Sequence, residues 1–192
     1  MNAHSTFPPP FPDALAASLG QLMVRFQALE STLLFAVGRF MHPENDDIPP
    51  QLTMSVLYEL PFSSLVKLFA TIPLTLTGPN LPFSRLTEDT NESKQLVADF
   101  ASAAKLCTAA EERRNQLMHS NWLQIHIGPG DESVMRVKMR TRRKSGVAAP
   151  LTRESVDTVS TAIDAINAAM TATFTASARL KLFLFPGAED AA

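Results

Sequence analysis

The sequence predicts an all-α protein, an up-and-down bundle of four to five helices with a small inserted β-hairpin. The 192-residue chain is 45% hydrophobic but holds only seven Gly, one Tyr and one Trp. β-Sandwiches and barrels need aromatic and β-branched strands separated by glycine-containing turns, so this composition disfavours them. Apolar residues also recur at intervals of three and four in several long segments, as in helices that bury one face.

The first predicted helix runs from Asp13 to the His42-Pro43 pair. Asp is a favoured N-cap residue, and a proline cannot continue a helix. A shorter second helix, interrupted by Pro61, is predicted over Leu52–Leu60 and Phe62–Ile72. The segment from Pro73 to Pro82 is predicted to be a loop. The apolar face of the first helix consists of Leu15, Leu19, Leu22, Phe26, Leu29, Leu33, Val37 and Phe40.

The second half of the chain predicts two long helices around a hairpin. Residues 92–119 have helical spacing throughout. Between Trp122 and Thr141 the period changes to two, with a turn at residues 128–131, as in a β-hairpin. In its second strand Met135, Val137 and Met139 alternate with basic residues, which would project from one face. Thr152 is the expected N-cap of a last helix that ends near Leu182.

The length favours one domain, which we expect at residues 13–185. Residues 1–12 contain four prolines and predict an extended arm, and residues 186–192 a disordered tail. The single cysteine, Cys107, cannot form an internal disulfide. No segment approaches the roughly 18 apolar residues of a membrane span, so we expect a cytoplasmic protein without a membrane partner.

A basic strip lies within residues 133–144, which hold six Lys or Arg and no acid. The other 180 or so residues carry the remaining basic side chains and all 19 acidic ones, so the body of the protein is acidic. Such a strip is suited to binding RNA phosphates. The alternative is that it protects an exposed strand edge from aggregation. The strip consists of Arg136, Lys138, Arg140, Arg142, Arg143 and Lys144.

The most polar helix end in the sequence is that of the third long helix, where Arg114 and His119 are five residues apart. A permanent cation and a group that exchanges protons near neutral pH suit cleavage of a phosphodiester. The alternative is structural: Arg114 pairs with Glu111, and His119 favours the negative end of the helix dipole. Four His and one Cys make no metal constellation, and we expect neither metal nor cofactor.

At this point the sequence resembles a known family. Arg114-Asn115-x-x-x-His119, preceded by Glu111-Glu112 and followed by Trp122, resembles the signature of HEPN domains, and the order of helices is similar from Asp13 to about Leu182. The resemblance implies a homodimeric helical bundle that cuts RNA without a metal ion.

The resemblance also assigns roles to residues. Arg114, His119 and Asn115 would be catalytic, with Glu111 in support and Ser120 and Asn121 near the substrate. It suggests a toxin or defence effector, with an antitoxin or regulatory protein as a further partner. Many HEPN domains are non-catalytic modules that bind a protein or nucleotide, which is the alternative function. One branch of the family has a tyrosine where this chain has Asn121, so regulation through that tyrosine is not expected.

Overall fold

The computed structural model of the protein describes residues 11–41, 51–75, 90–123, 134–137 and 151–184. These ranges are predominantly helical, as the sequence predicts, and contain five helices and three short strands. The helices are α1 (Asp13–Met41), α2 (Gln51–Tyr58), α3 (Phe62–Thr75), α4 (Asn91–Met118) and α5 (Val156–Leu184). The strands are β1 (Asn121–Leu123), β2 (Val134–Val137) and β3 (Leu151–Glu154).

Helices α1, α4 and α5 form the centre of the bundle, with α3 packed against α1 and α4. Phe40 of α1 contacts Phe100 of α4, and further along, Phe26 contacts Arg114, so α1 and α4 are antiparallel. Cys107 of α4 contacts Thr173 of α5, and Asp99, two turns earlier on α4, accepts from Arg179, later on α5. α5 therefore also runs antiparallel to α4, and parallel to α1.

The core combines stacked aromatic rings with small residues. The rings of Phe69 and Phe100 are both fully buried and stack with their centroids 4.5 Å apart. Ala103 and Ala110 on α4, with Ala169 on α5, are buried at 1% exposure or less, which lets the helix backbones approach closely. Burial raises the pKa of the Cys107 thiol, as expected for a small core residue.

The helix ends differ from the prediction at two places. α3 continues through Pro73 to Thr75, where the sequence predicted a loop from Pro73 onward. A proline near the last turn removes one helical hydrogen bond, and the burial of Phe69 and Ile72 on the same helix compensates for that loss. α5 begins at Val156, four residues later than Thr152, because β3 occupies the preceding residues.

Ser155 therefore takes the capping role that was predicted for Thr152. The backbone N–H of Ser155 donates to Thr158 Oγ1 at 2.8 Å, and the N–H of Thr158 donates to Ser155 Oγ at 3.4 Å. This reciprocal arrangement satisfies donors that a helix start leaves unpaired.

The three strands form one antiparallel sheet in the order β1-β2-β3. The antiparallel pairing of β1 with β2 agrees with the predicted hairpin, whose turn lies outside the described residues. The third strand was not predicted. Trp122 of β1 packs edge-to-face on Phe11, at 5.7 Å between centroids, so the chain just before α1 lies against the sheet.

Strand β2 has a basic residue on its buried face. Val134 and Arg136 are buried, at 1% and 7% exposure, while Met135 is half-buried. Val134 is paired directly with Glu154 on β3, and Arg136 is the diagonal neighbour on the same face. The ionic partner of Arg136 thus lies on the buried face, which draws the arginine inward.

None of the helices in the described part of the chain is both long enough and apolar enough to cross a membrane.

Candidate functional site

The predicted catalytic residues lie at the C-terminal end of α4. Arg114 and Asn115 belong to its last full turn, and His119 is the C-cap, with φ −104° and ψ 33°. The backbone N–H of His119 donates to the Asn115 carbonyl at 3.1 Å, which fixes the position of the cap. The His119 side chain is exposed. This imidazole is therefore open to solvent and to a bound molecule.

Arg114 is half-buried and turned toward α1. Its guanidinium carbon lies 4.9 Å from the centroid of the Phe26 ring, and Nη1 donates to Asn115 Oδ1 at 2.8 Å. The Nε atom is buried and has no hydrogen-bond partner among the described residues. A cation held over an aromatic face keeps its full charge while its orientation is restricted. The guanidinium is thus positioned, with part of its hydrogen-bonding capacity unused.

Arg114 and His119 do not share a helix face. Five helical residues correspond to a separation of roughly 140° around the axis and about 7.5 Å along it. This agrees with a half-buried Arg114 beside Phe26 and an exposed His119. No hydrogen bond joins the two side chains in the described structure. A single chain therefore holds both side chains at the same end of the bundle, on different sides of α4.

Glu111 lies one turn before Arg114 on α4. Burial raises the pKa of its carboxyl, the charge of Arg114 opposes that rise, and Glu112 and Glu30 reinforce it. The described residues show no ion pair within 4.0 Å between Glu111 and Arg114. The pairing of these two residues, which was the structural alternative, is therefore only an attraction over a longer distance. Glu111 adds negative potential to the neighbourhood of the predicted cation.

The neighbouring arginine, Arg113, makes the ion pair that the sequence did not predict. Its Nη2 donates to Glu154 Oε2 at 2.9 Å and its Nη1 to Oε1 at 3.3 Å. Arg136 donates to the same carboxylate, from Nε to Oε1 at 2.8 Å. We call Arg113, Glu154 and Arg136 the Glu154 cluster. It links α4, β2 and β3 immediately behind the predicted site.

The Glu154 cluster is mostly inaccessible to water. The side chains of Glu154 and Arg136 are 1% and 8% exposed, and that of Arg113 is 30% exposed. Burial would raise the pKa of Glu154, but hydrogen bonds from Arg113, Arg136 and Thr158, with the charge of Arg113, hold the pKa below its ordinary value. The carboxyl is therefore ionised at neutral pH.

Arg136 also closes the end of α4. Its Nη1 donates to the Gln116 carbonyl and to Ser120 Oγ, each at 3.1 Å, and Ser120 Oγ donates to the same carbonyl. These bonds satisfy a carbonyl that the end of a helix leaves unpaired, next to the negative pole of its dipole.

These contacts bear on two predicted roles. Arg136 is buried and its guanidinium is bonded to the protein, which disfavours the predicted contact with RNA phosphate. The Ser120 hydroxyl donates to the helix end and accepts from Arg136, which favours a structural role over the predicted substrate contact. Asn121 belongs to β1, but its side chain lies outside the described structure. The other five basic residues of the strip, Lys138, Arg140, Arg142, Arg143 and Lys144, also lie outside the described residues.

Within the described ranges, no group of three or more His, Cys, Asp or Glu side chains is placed to hold a metal ion. Comparison of the chain with protein-family models, curated proteins and solved structures finds no match. The resemblance to HEPN domains therefore stays a prediction from the sequence, based on residues 111–122 and on the order of the predicted helices.

Proposed function

We propose that the protein is a metal-independent endoribonuclease of the HEPN type, acting as a toxin or defence effector. The arrangement of Arg114 and His119 at the end of α4 supports this proposal. There His119 is exposed at the cap, and the Arg114 guanidinium is held between Phe26 and Asn115 with an unpaired Nε. The described structure thus contains a proton-exchanging group and a positioned cation at one end of the bundle.

The proposed reaction is an internal transfer at the RNA backbone. The His119 imidazole removes the proton of a ribose 2′-hydroxyl, and the 2′-oxygen attacks the adjacent phosphorus. The bond from phosphorus to the 5′-oxygen then breaks, and that oxygen takes a proton from an acid. The products are a 2′,3′-cyclic phosphate and a 5′-hydroxyl end. Arg114 stabilises the charge on the phosphoryl oxygens, and no metal or other cofactor is required.

The proposed active form is a homodimer in which the two motifs face each other. Among the described residues, one chain offers one imidazole at this site, but the reaction uses both a base and an acid. The wide angle between Arg114 and His119 on α4 also favours a cleft completed by a second copy. A two-fold axis near the helix ends would duplicate both groups and supply the acid. An antitoxin or regulatory protein would act on this dimer.

The direct test combines an RNA cleavage assay with light scattering. Purified protein incubated with cellular RNA in EDTA should produce fragments with cyclic phosphate and 5′-hydroxyl ends, and it should scatter as a dimer at tens of micromolar. Fragments with 5′-phosphate ends, or cleavage that EDTA abolishes, would contradict the proposed chemistry. A monomer that cleaves at full rate would contradict the shared cleft.

RNA binding is proposed for the rest of the basic strip. Replacing Lys138, Arg140, Arg142 and Arg143 with Gln should weaken RNA binding and flatten its salt dependence, because fewer counterions are released. Arg136 is left intact, since it belongs to the Glu154 cluster. Unchanged affinity and salt slope would favour the alternative that these charges protect a strand edge.

A non-catalytic binding module is the second candidate function, favoured by two exposed apolar side chains one turn apart on α2. Leu52 and Val56 are 78% and 58% exposed and share one face of the helix. Exposed apolar side chains grouped on one face are typical of protein-binding sites. A protein that binds a partner through this surface but never cuts RNA would support this function over the nuclease.

A further inference from the structure

His119 lies where α4 ends and the chain enters the sheet. Its backbone has left the helix, with φ −104° and ψ 33°, and its N–H donates to the Asn115 carbonyl at 3.1 Å. The last turn of a helix opens readily, because its carbonyls have no partners further along the helix. The exposed His119 imidazole therefore keeps a fixed position only if groups outside the helix hold this turn.

The next residue, Ser120, connects this turn back to α4. Its Oγ donates to the Gln116 carbonyl, four residues earlier, and accepts from Arg136 Nη1 at 3.1 Å. Arg136 Nη1 also donates to the same Gln116 carbonyl, again at 3.1 Å. The three groups thus form a closed set of hydrogen bonds. Its two members on the chain, Gln116 and Ser120, lie on either side of His119.

Arg136 is itself held in place by the Glu154 cluster. Its Nε donates to Glu154 Oε1 at 2.8 Å, and its side chain is only 8% exposed. Hydrogen bonds from Arg113 and Arg136 help to hold the pKa of the Glu154 carboxyl below its ordinary value, so this anchor stays ionised at neutral pH. The donor that reaches Ser120 therefore belongs to a buried, ion-paired side chain of β2.

The hydrogen bonds of Ser120 distinguish positioning from substrate contact. A serine hydroxyl has one hydrogen to donate and two lone pairs to accept with. The Ser120 hydrogen is donated to the Gln116 carbonyl, and one lone pair accepts from Arg136. Donation to an RNA oxygen would require breaking the bond to Gln116, whereas holding the turn uses the bonds as they are.

We propose that Ser120 is a positioning residue for His119, with Arg136 as its anchor on the sheet. The role in catalysis rests on the proposed nuclease function, whereas the restraint on the His119 backbone does not depend on RNA. A general base must lie within hydrogen-bond reach of the proton that it removes, so a small displacement of His119 lowers the rate. The sheet thereby fixes the position of the base.

Amide hydrogen exchange of the full chain, followed by NMR, tests the restraint without RNA. Ser120→Ala should raise the exchange rate of the His119 N–H by about threefold to tenfold, the factor that corresponds to the loss of one hydrogen bond. Ser120→Thr keeps the hydroxyl and should exchange like the parent. The matched control is Ser177→Ala, which removes the same kind of bond on α5, from Ser177 Oγ to the Thr173 carbonyl. It should leave His119 unchanged.

Single-turnover cleavage of cellular RNA by the same variants tests the role in catalysis. Ser120→Ala should lower the rate at saturating RNA by about threefold to tenfold and leave the RNA concentration for half-maximal rate unchanged, because the base is displaced while RNA binding is not altered. Ser120→Thr and Ser177→Ala should cleave like the parent. A higher RNA concentration for half-maximal rate, with the saturating rate unchanged, would identify Ser120 as a substrate contact and overturn the proposal.

The two measurements separate this proposal from the nuclease function. If Ser120→Ala and Ser177→Ala show the same exchange rate at the His119 N–H, Ser120 does not hold this residue and the proposal is wrong, whatever the cleavage assay shows. Faster exchange with an unchanged cleavage rate would overturn the role in catalysis. A parent that cuts no RNA would contradict the nuclease function, and the exchange of the His119 N–H would then still decide whether Ser120 restrains it.

Discussion

Replacing Glu154 with Gln removes the negative charge at the centre of the Glu154 cluster while keeping the shape of the side chain. The carboxylate accepts hydrogen bonds from Arg113 and Arg136 at 2.8 to 3.3 Å. Arg113 is 30% exposed and can regain water, but Arg136 is 8% exposed and would become a buried cation without its counter-charge. Removing one partner of a buried ion pair costs about 3–5 kcal/mol. Because Arg113 can be solvated after the substitution, we expect a loss of free energy of unfolding at the lower end of this range, about 3 kcal/mol.

Urea denaturation followed by far-UV circular dichroism measures this loss, and a thermal melt should show a decrease of about 6–12 °C for a domain of this size. The matched control is Asp99→Asn, which removes the acid of the more exposed Asp99–Arg179 pair. Surface pairs contribute about 0–1 kcal/mol. If Glu154→Gln and Asp99→Asn lower the free energy of unfolding by the same amount, the cluster does not stabilise the end of α4 as argued.

Three other predictions concern charge and capping. The folded pKa of Glu154 is lowered, so its stabilisation should be complete above its ordinary value of 4.5 and should be lost as the pH falls through the folded pKa. As the pH falls below 4.5, the free energy of unfolding should therefore decrease less steeply in Glu154→Gln than in the parent. The folded pKa of Glu111 is raised, so Glu111→Gln should increase the free energy of unfolding at neutral pH. The gain should be less than about 1 kcal/mol because the carboxyl is partly solvated. A lower melting temperature than that of the parent would contradict this. Thr90→Ala should cost about 1 kcal/mol in urea denaturation, because Thr90 Oγ1 accepts the Ser93 N–H at 3.1 Å as the N-cap of α4. A loss equal to that of Ser102→Ala, at an exposed position within α4, would contradict the capping role.

The long helices are predictable from the sequence because their signal is local. Apolar residues at intervals of three and four determine which face of α1 and α4 is buried, and the flanking prolines and polar residues limit the ends. Leu22, Leu29 and Leu33 are fully buried on the predicted face of α1. The break at Pro61 likewise separates α2 from α3.

The sheet was predictable only in part, because strand β3 depends on a distant partner. Its residues Leu151–Glu154 are too few to show a period, and Thr152 is a good helix cap when considered alone. The side-chain alternation of β2 also depends on long-range pairing, since Arg136 faces inward to meet Glu154 and the end of α4. A local pattern of alternating Met, Val and basic residues does not contain that information.

For the candidate site, the sequence pattern did not distinguish the two adjacent arginines near the end of α4. Arg113 and Arg114 differ by about 100° around α4. Only the packed bundle decides that Arg113 faces Glu154 and Arg114 faces Phe26. Glu111, three residues earlier on α4, was the alternative partner for Arg114, whereas the ion pair that forms joins Arg113 to Glu154, 41 positions along the chain.

The proposed roles of His119 and Arg114 in metal-independent RNA cleavage can be measured by single-turnover cleavage in EDTA. His119→Ala and Arg114→Ala should each lower the rate by on the order of a hundredfold or more. The controls are His126→Ala, outside the motif, and Arg25→Ala, at an exposed position of α1; both should cleave like the parent. Melting curves must show that His119→Ala is folded. If His119→Ala cleaves at the parental rate, or if Arg114→Ala loses stability while neither variant changes an RNA assay, the end of α4 is structural and the nuclease assignment is wrong.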